Sequence, residues 1–298
     1  MSITTIQGEN IYEFDDAKFL GNRVNNKFSF VYLGNNIETK EKVVIKKLNP
    51  NLLNNFDAIH RFEVEATHIY THENLQQIVE SFQYEKNYYI ILNYIEGVDL
   101  KSFSLKNKKL LRTDYSIVKK IFIDILSGLQ VIHDNGFVHG DIKPANIIIS
   151  ETNNEYKATL IDFGQVRKSC KRIYSKDIPF SLLYSSPEQV IKANSIVNNK
   201  SDIYSVGITL YEVLTGKYPY NDTNPLKLMV LQLNYNIQPH KLLSPDIFKI
   251  IKKATAKFVF PRPYRYYSKT EIYVMLVKGQ NRRYENVDKF IEALQEIY

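Results

Sequence analysis

The sequence predicts an α+β fold in two lobes, a small β-rich lobe followed by a larger helical lobe. Short segments rich in β-forming residues run from Phe14 to about Leu92, and long segments with helical periodicity follow residue 99. The chain has 298 residues, which fits one large domain or two lobes of one enzyme. Because 44% of the residues are apolar and 13% are aromatic, the chain can bury a substantial core, whereas disordered chains contain fewer aromatic residues.

Residues 1–92 are predicted to form the small N-terminal lobe. The runs FSFVYLG and KVVIKKL are rich in β-formers and flank the polar turn NNIETKE. The segment ESFQYEKNYYIILNYI favours two strands around a Glu-Lys-Asn turn. Between these strand pairs, FDAIHRFEVEATHIY has apolar residues at helical spacing. They are Ile59, Phe62, Ala66 and Ile69. Residues 93–99 are predicted to be the hinge.

Residues 100–298 are predicted to form the helical C-terminal lobe. SIVKKIFIDILSGLQVIHDNG and NVDKFIEALQEIY have amphipathic periodicity. SDIYSVGITLYEVLTG has the same pattern, with Ser201 as the expected N-cap and Gly216 as the stop. The segment FVFPRPYRYYSKTEIYVMLVKGQ at 258–280 is aromatic and β-rich, which favours an inserted surface hairpin. The alternative is a docking surface for a partner protein.

Charge and composition indicate which kinds of partner, metal site and location are not expected for this chain. The formal net charge of +7 is spread along the chain, and without any recognisable nucleic-acid motif we expect no nucleic-acid partner. One cysteine, Cys170, excludes an internal disulfide and a cysteine-based metal site. The N-terminus lacks a basic start and an apolar core, and no apolar run reaches the ~20 residues that a membrane span needs. We therefore expect a cytoplasmic protein without membrane association.

A lysine on a predicted strand is the first candidate for chemistry. Lys46 ends the strand VVIK, where a buried ammonium group is costly unless it is paired. Glu63 on the following helix is the expected counter-ion, and Glu65 is the alternative. Lys47 competes with Lys46, but strand alternation places it on the opposite face of the sheet.

Residues 139–149, HGDIKPANIII, form the second candidate group. Asp141 is followed by Lys143 and Asn146, and Asp162 comes after the next apolar strand in LIDFG. Phosphoryl transfer requires a held triphosphate, neutralised charge and an aligned hydroxyl. Oxygen ligands such as those of Asn146 and Asp162 suit Mg²⁺, and Lys143 would neutralise the transferring group. An isolated DFG is a weak signal, but together with H-x-D-x-K-P-x-N it is a strong one.

These motifs resemble those of the eukaryotic-type Ser/Thr protein kinases over about residues 15–297. VVIK is similar to the family's lysine strand, HGDIKPAN to its catalytic loop, and YSSPE to the end of its activation segment. SDIYSVGITLYEVLTGKYPY is similar to the helix behind that segment. The resemblance implies a bilobal kinase fold, ATP and Mg²⁺ as cofactors, and protein substrates phosphorylated on Ser or Thr.

The resemblance also implies residue roles. Asp141 would orient the substrate hydroxyl with Lys143 beside it, Asn146 and Asp162 would bind Mg²⁺, and Lys46 and Glu63 would form the ion pair. Asp202 would hold the catalytic-loop backbone, Ser181 would contact Asp141 and Lys143, and Arg283 would pair with Glu188, with Arg265 as the alternative. The implied nucleotide-binding residues are Val24, Val31, Lys46, Leu92 as gatekeeper, Tyr94 and Ile95 for the adenine, Asp99 for the ribose, and Ile148 for the pocket floor.

The chain departs from the family pattern at two places. Gly140 replaces the arginine that usually clamps a phosphate on the activation segment. The phosphate-covering loop has Val24, Asn26 and Ser29 where glycines are usual, so its backbone amides are held away from phosphate. Two alternatives follow: a pseudokinase that binds nucleotide or acts as a scaffold, and a small-molecule kinase of the aminoglycoside or choline kinase type, which shares HGD but lacks the SPE ending.

Overall fold

The computed structural model describes residues 3–20, 28–170 and 181–297. Contacts divide the chain into two units. The first runs up to Glu96 and includes Asp162–Gly164, and the second contains Gly97–Ile161 and the residues from Gln165 onward. The first unit is built mainly from strands and the second mainly from helices, which confirms the predicted α+β class.

The first unit is a six-stranded antiparallel sheet with one helix. The strand order is β1-β2-β3-β4-β6-β5. The helix α1 (Phe56–Ala66) follows a short 3₁₀ turn at Pro50–Leu52. The strands are β1 (Ile3–Gln7), β2 (Ile11–Leu20), β3 (Ser29–Asn36), β4 (Lys42–Leu48), β5 (Ile78–Tyr84) and β6 (Asn87–Asn93).

Alternation along β4 divides the first unit's core between the two faces of the sheet. Val43 and Ile45 are buried on one face among aromatic residues of β2, β3 and β6. Leu48 is buried on the other face, where it clusters with Phe62 of α1. Because side chains of a strand alternate in direction, Lys46 shares the face of Leu48 and is directed toward α1.

The N-terminal hairpin was not predicted in full, because the sequence analysis began the strands at about Phe14. Glu80 on β5 ties this hairpin to the opposite edge of the sheet. Its carboxylate accepts hydrogen bonds from the Tyr12 hydroxyl at 2.5 Å and the Glu9 amide at 2.8 Å. A Cβ at Gly8 would lie 2.4 Å from the ring of Phe82, so only glycine permits this close approach.

The second unit combines nine helices in its described part with two small sheets. β9 and β10 form an antiparallel hairpin that β7 extends, and β8 pairs with β11. The strands are β7 (Val98–Asp99), β8 (Phe137–Val138), β9 (Ile147–Thr152), β10 (Glu155–Leu160) and β11 (Arg167–Lys168). The helices are α2 (Leu100–Lys106), α3 (Lys108–Thr113), α4 (Tyr115–Asp134), α5 (Pro187–Val190), α6 (Asn199–Thr215), α7 (Pro225–Asn234), α8 (Pro245–Ala254), α9 (Lys269–Gln280) and α10 (Val287–Gln295).

Helix α6 is buried over most of its length. Gly216 ends it in a left-handed conformation with φ of 70°, as predicted, but its N-cap is Asn198. Ser201, the predicted cap, instead occupies the third helical position and completes a capping box. Gly207 allows α8 to approach, since a Cβ there would lie 2.7 Å from Cγ2 of Thr255.

The prediction of a hairpin within residues 258–280 was wrong, because this segment ends in helix α9. Ser268 caps the helix and forms a capping box with Glu271, so the Ser-Lys-Thr run starts a helix rather than a turn. The buried Leu276 and Gly279 share a face with Ile272, which is helical spacing that the β-forming composition obscured.

A buried ion pair joins α5 to the loop after α9. Arg283 donates two hydrogen bonds to the Glu188 carboxylate, at 2.7 and 3.1 Å, and Ser201 donates a third at 2.7 Å. This confirms Arg283 as the partner of Glu188, whereas Arg265 is exposed and lies over the Tyr266 ring. Burial acts to raise the pKa of Glu188, but Arg283 outweighs it and lowers this pKa to about 2.

Among the described residues, none of the helices has both the length and the apolar character required to cross a membrane.

We predict that Arg283→Met destabilises the protein by about 3–5 kcal/mol, because it leaves the buried Glu188 carboxylate without a counter-ion. Urea unfolding followed by circular dichroism measures the loss. Arg282→Met is the matched control, since Arg282 is the exposed neighbour. Equal stability of the two variants would contradict the assignment.

The same pair predicts a pH dependence. The folded pKa of Glu188, about 2, lies below its ordinary value of 4.5, so the pair contributes fully above pH 4.5 and its contribution is lost as the pH falls toward 2. In Arg283→Met burial instead raises the pKa of Glu188, so the stability difference between wild type and this variant should shrink as the pH falls from neutral toward 2, which urea unfolding at each pH measures.

Candidate functional site

The first unit contains the predicted lysine ion pair, with Glu65 in place of Glu63. The Lys46 Nζ lies 2.5 Å from Oε1 of Glu65, and both residues are buried. Glu63 is exposed, so its assignment was wrong and the alternative is correct. Lys47 lies on the opposite face, with its Nζ 3.5 Å from Asp16, as the strand alternation predicted.

The periodicity of α1 explains why Glu65 is the partner. The buried residues of this helix are Ala58, Phe62 and Glu65, which are separated by four and three positions and so share one face. Glu63 follows Phe62 directly and therefore points about 100° away from that face. The sequence already indicated Glu65 as the partner, because Glu65 follows Phe62 by three positions and so lies on the same face of the helix.

Asp162 shares the same lysine. Its Oδ1 lies 3.0 Å from the Lys46 Nζ, and its side chain is 48% exposed. Burial acts to lower the pKa of Lys46, but the carboxylates of Asp162 and Glu65 outweigh it and raise this pKa. Lys46 is therefore charged at neutral pH and is shared between an internal carboxylate and one that faces solvent.

Arg61 is a charged neighbour of this group that the sequence analysis missed. Its Nη2 and Nε donate hydrogen bonds to the carbonyl oxygen of Gly164, at 2.8 and 3.1 Å. Its guanidinium lies over the ring of Phe28, 4.3 Å from the centroid. No sequence motif marks this residue, because its partners are a backbone carbonyl and an aromatic face.

Several predicted nucleotide-binding residues lie in the first unit. Val31 pairs with Lys46 across β3 and β4, and Leu92 is buried in the cluster that contains Phe62. No backbone hydrogen bond joins Tyr94 or Ile95 to another residue that the structure describes, and the adenine contacts of both stay a prediction. Val24 lies outside the described residues, as do Gly21 and Asn26.

The second unit brings four of the predicted residues together. The Lys143 Nζ donates to Oδ2 of Asp141 at 2.6 Å and to Oγ of Ser181 at 3.0 Å. Nδ2 of Asn146 donates to the carbonyl oxygen and to Oδ2 of Asp141, at 2.9 and 3.1 Å. Asp141 is buried, so its carboxylate is oriented by a cation and an amide.

Asp202 of α6 holds the backbone before Asp141, as the resemblance implied. Its carboxylate accepts from the amides of His139 and Gly140, at 2.8 and 2.9 Å, and lies 2.8 Å from Nε2 of His133. Burial acts to raise the pKa of Asp202, but the His133 hydrogen bond and the Gly140 amide lower it. The carboxylate therefore stays charged and anchors the loop.

Gly140 has a conformation that suits glycine. Its φ is 80°, in the left-handed region that other residues enter only at a cost. A Cβ here would lie 3.0 Å from the carbonyl oxygen of Gln165. Gln189 further fixes the position by donating to the Gly140 carbonyl at 2.8 Å, so the loop keeps its shape without an arginine.

The two remaining nucleotide-binding candidates lie in the small sheet of the second unit. Asp99 pairs with Ile148 in the β7–β9 ladder. Both Asp99 carboxylate oxygens accept hydrogen bonds from Ser102, at 2.9 and 2.7 Å. Asp99 therefore has a structural role as the N-cap of α2. Its contact with a ribose stays a prediction. Ile148 is half-buried, which is compatible with contact to a ring.

The donor atoms present fit Mg²⁺ carried by a nucleotide. Asp162 offers a half-exposed carboxylate, and Asn146 uses Nδ2 to bind Asp141, which leaves Oδ1 as its coordinating atom. No cluster of three or more acidic, histidine or cysteine side chains able to hold a metal occurs in residues 3–20, 28–170 and 181–297. Mg²⁺ prefers oxygen ligands and usually keeps several waters beside substrate phosphates, so each of these side chains by itself offers a suitable atom, and its role as a metal ligand stays a prediction.

Comparison with known proteins shows which family the sequence resembles. A family model described as the protein kinase domain matches residues 21–272. The serine/threonine-protein kinase PrkC of Bacillus subtilis is 32% identical over 238 residues, and the probable serine/threonine-protein kinase PknB of Lactococcus lactis is 29% identical over 254 residues. The tyrosine-protein kinase MasK of Myxococcus xanthus is 27% identical over 247 residues.

These matches cover most of this chain but a minor part of each relative. They span 78% of the chain for PrkC, 83% for PknB and 78% for MasK. The corresponding shares of the relatives are 36%, 36% and 38%. Because the family model matches far more than half of the sequence, the chain belongs to the protein kinase family.

Proposed function

We propose that this protein transfers the γ-phosphoryl group of ATP to Ser or Thr hydroxyls of protein substrates. The contact of Asp141 with Lys143 and Asn146 carries the proposal, since it orients a carboxylate for an incoming hydroxyl. The names of PrkC and PknB support Ser and Thr as acceptors. MasK is named a tyrosine-protein kinase, so the choice of hydroxyl rests also on the Lys143-Pro144 pair, which resembles that of Ser/Thr rather than Tyr kinases.

The residues of the second unit would act on the acceptor. Asp141 would accept a hydrogen bond from the substrate hydroxyl and take its proton as the new oxygen–phosphorus bond forms and the bond to ADP breaks. Lys143, already within 2.6 Å of Asp141, would offset negative charge on the transferring group. Ser181 keeps the Lys143 ammonium in place.

The residues of the first unit would hold the nucleotide. Lys46, oriented by Glu65, would bind the phosphates, and the peptide groups of Tyr94 and Ile95 would bind the adenine. Asp162 would bind Mg²⁺ through its half-exposed carboxylate, and the Asn146 amide oxygen is likewise a proposed Mg²⁺ ligand. Bound Mg²⁺ supplies positive charge that neutralises the phosphates.

We predict that Asp141→Asn lowers turnover by about 10²–10⁴-fold, the range typical of a lost general base. Asp162→Asn should also abolish the Mg²⁺ dependence of ATP binding. The assay uses labelled ATP, Mg²⁺ and a mixed protein substrate, followed by phosphoamino-acid analysis. Asp246→Asn on the exposed start of α8 is the control.

Three results would contradict this function. Wild-type turnover by Asp141→Asn would show that the site is elsewhere. ATP binding without any transfer would identify a pseudokinase. Transfer to a small-molecule alcohol but not to protein would identify a small-molecule kinase.

The ion pair of Lys46 and Glu65 can be tested by comparing two variants of helix α1. We predict that Glu65→Gln lowers turnover by about tenfold or more, because a Lys46 ammonium displaced by about 1 Å no longer aligns the phosphates. Glu63→Gln should leave turnover unchanged, since Glu63 is exposed. Steady-state kinetics with varied ATP measures both. A larger effect at Glu63 would show that α1 rotates in the working enzyme.

We predict that activity does not require phosphate on the activation segment, because Gly140 provides no side chain to clamp it. Phosphatase-treated enzyme should retain most of its rate on an added substrate. A large loss that preincubation with ATP restores would show that another basic residue, such as Lys168, binds the phosphate.

A further inference from the structure

Each residue of the Asp162–Gly164 turn contacts a different side chain of the first unit. Lys46 on β4 binds the Asp162 carboxylate at 3.0 Å. The buried ring of Phe163 packs edge-on against Tyr70, with centroids 6.1 Å apart. Arg61 on α1 binds the Gly164 carbonyl through two donors.

The turn needs such contacts because its backbone is strained. Asp162 has a φ of 64°, in the left-handed region that a non-glycine residue enters only at an energetic cost. Strained residues persist where surrounding contacts determine them. A side chain at Gly164 would crowd this charged group, since a Cβ would lie 3.3 Å from both Glu65 Oε2 and Lys46 Nζ. Arg61 holds the end of the turn through its two hydrogen bonds to the Gly164 carbonyl.

The charge around Arg61 is balanced. Lys46 and Arg61 carry two positive charges, and Glu65 and Asp162 carry two negative charges. Burial lowers the pKa of Arg61, and the two carboxylates oppose that effect. The Phe28 ring under the guanidinium, itself 6.3 Å from the Phe62 ring, fixes the plane in which the two donors lie.

We propose that Arg61 is a positioning residue for phosphoryl transfer, which holds the Asp162–Gly164 turn in the orientation that presents Asp162 to Mg²⁺. The proposal rests on the proposed function and adds a residue to it. A residue that orients a metal ligand typically accounts for 10–100-fold in metal affinity. With Gly140 in place of an arginine, this contact within the first unit fixes the turn without a phosphorylated activation segment.

The test compares Arg61→Gln and Arg61→Lys with wild type. Calorimetry measures ATP binding as a function of Mg²⁺, and kinetics separates kcat from KM. We expect Arg61→Gln to raise the half-saturating Mg²⁺ concentration about tenfold or more and to lower kcat, while ATP affinity without Mg²⁺ is unchanged. Arg61→Lys should recover part of the loss, since it keeps the charge but lacks the planar pair of donors.

His60→Gln is the matched control, because His60 is the exposed neighbour of Arg61 on the same helix. Phe28→Leu should shift the Mg²⁺ dependence in the same direction as Arg61→Gln. A merely structural role would lower the melting temperature without moving the Mg²⁺ dependence, and that result would overturn the proposal.

The two proposals fail in different ways. Wild-type protein that binds ATP in a Mg²⁺-dependent manner but transfers no phosphate would refute the kinase function, and the Mg²⁺ titrations would still test Arg61. Wild-type Mg²⁺ dependence in Arg61→Gln would refute the role of Arg61 alone. If Arg61→Gln does not fold, the same outcome in Arg61→Lys refutes it.

Discussion

The geometry of the catalytic loop depends on one buried carboxylate, that of Asp202. A buried charge is costly unless hydrogen bonds satisfy it, and here two backbone amides and His133 do so. Because α6 is buried on nearly all sides, Asp202 cannot shift without disturbing the second unit's core. The positions of Gly140 and Asp141 therefore follow from the packing of a helix more than sixty residues later in the chain.

In the first unit, side-chain interactions rather than backbone hydrogen bonds to a buried carboxylate hold the candidate residues in place. Its functional groups are long side chains held by one another, with Lys46, Arg61, Glu65 and Asp162 forming a neutral set. Such a set is most sensitive at Lys46 and Glu65, because both are buried and removing either leaves the other without its partner. The second unit fixes its loop through backbone contacts, whereas the first fixes its turn through side chains.

The predictability of each residue depended on the kind of partner it has. The alternation of β4 correctly separated Lys46 from Lys47, because the period of a strand is fixed by its geometry. The prediction of Glu63 as the partner of Lys46 was wrong because it did not take into account which residues of α1 share the face of Phe62. Arg61 could not be found, since its backbone partner lies 103 residues away and leaves no trace in the pattern. Helix α9 was missed because Tyr273, Val274 and Val277 mimic a strand, while its Ser268 cap went unrecognised.

The contact of Glu80 with the N-terminal hairpin has a consequence for how the chain folds during synthesis. The hydrogen bonds from Asn10 to Glu80 span 70 residues, so the hairpin cannot complete its contacts until β5 has left the ribosome. At about 5–20 residues per second, this delay is on the order of 4–14 s. During that interval the Glu9 and Asn10 amides lack their Glu80 partner, so a later part of the growing chain completes the contacts of an earlier part.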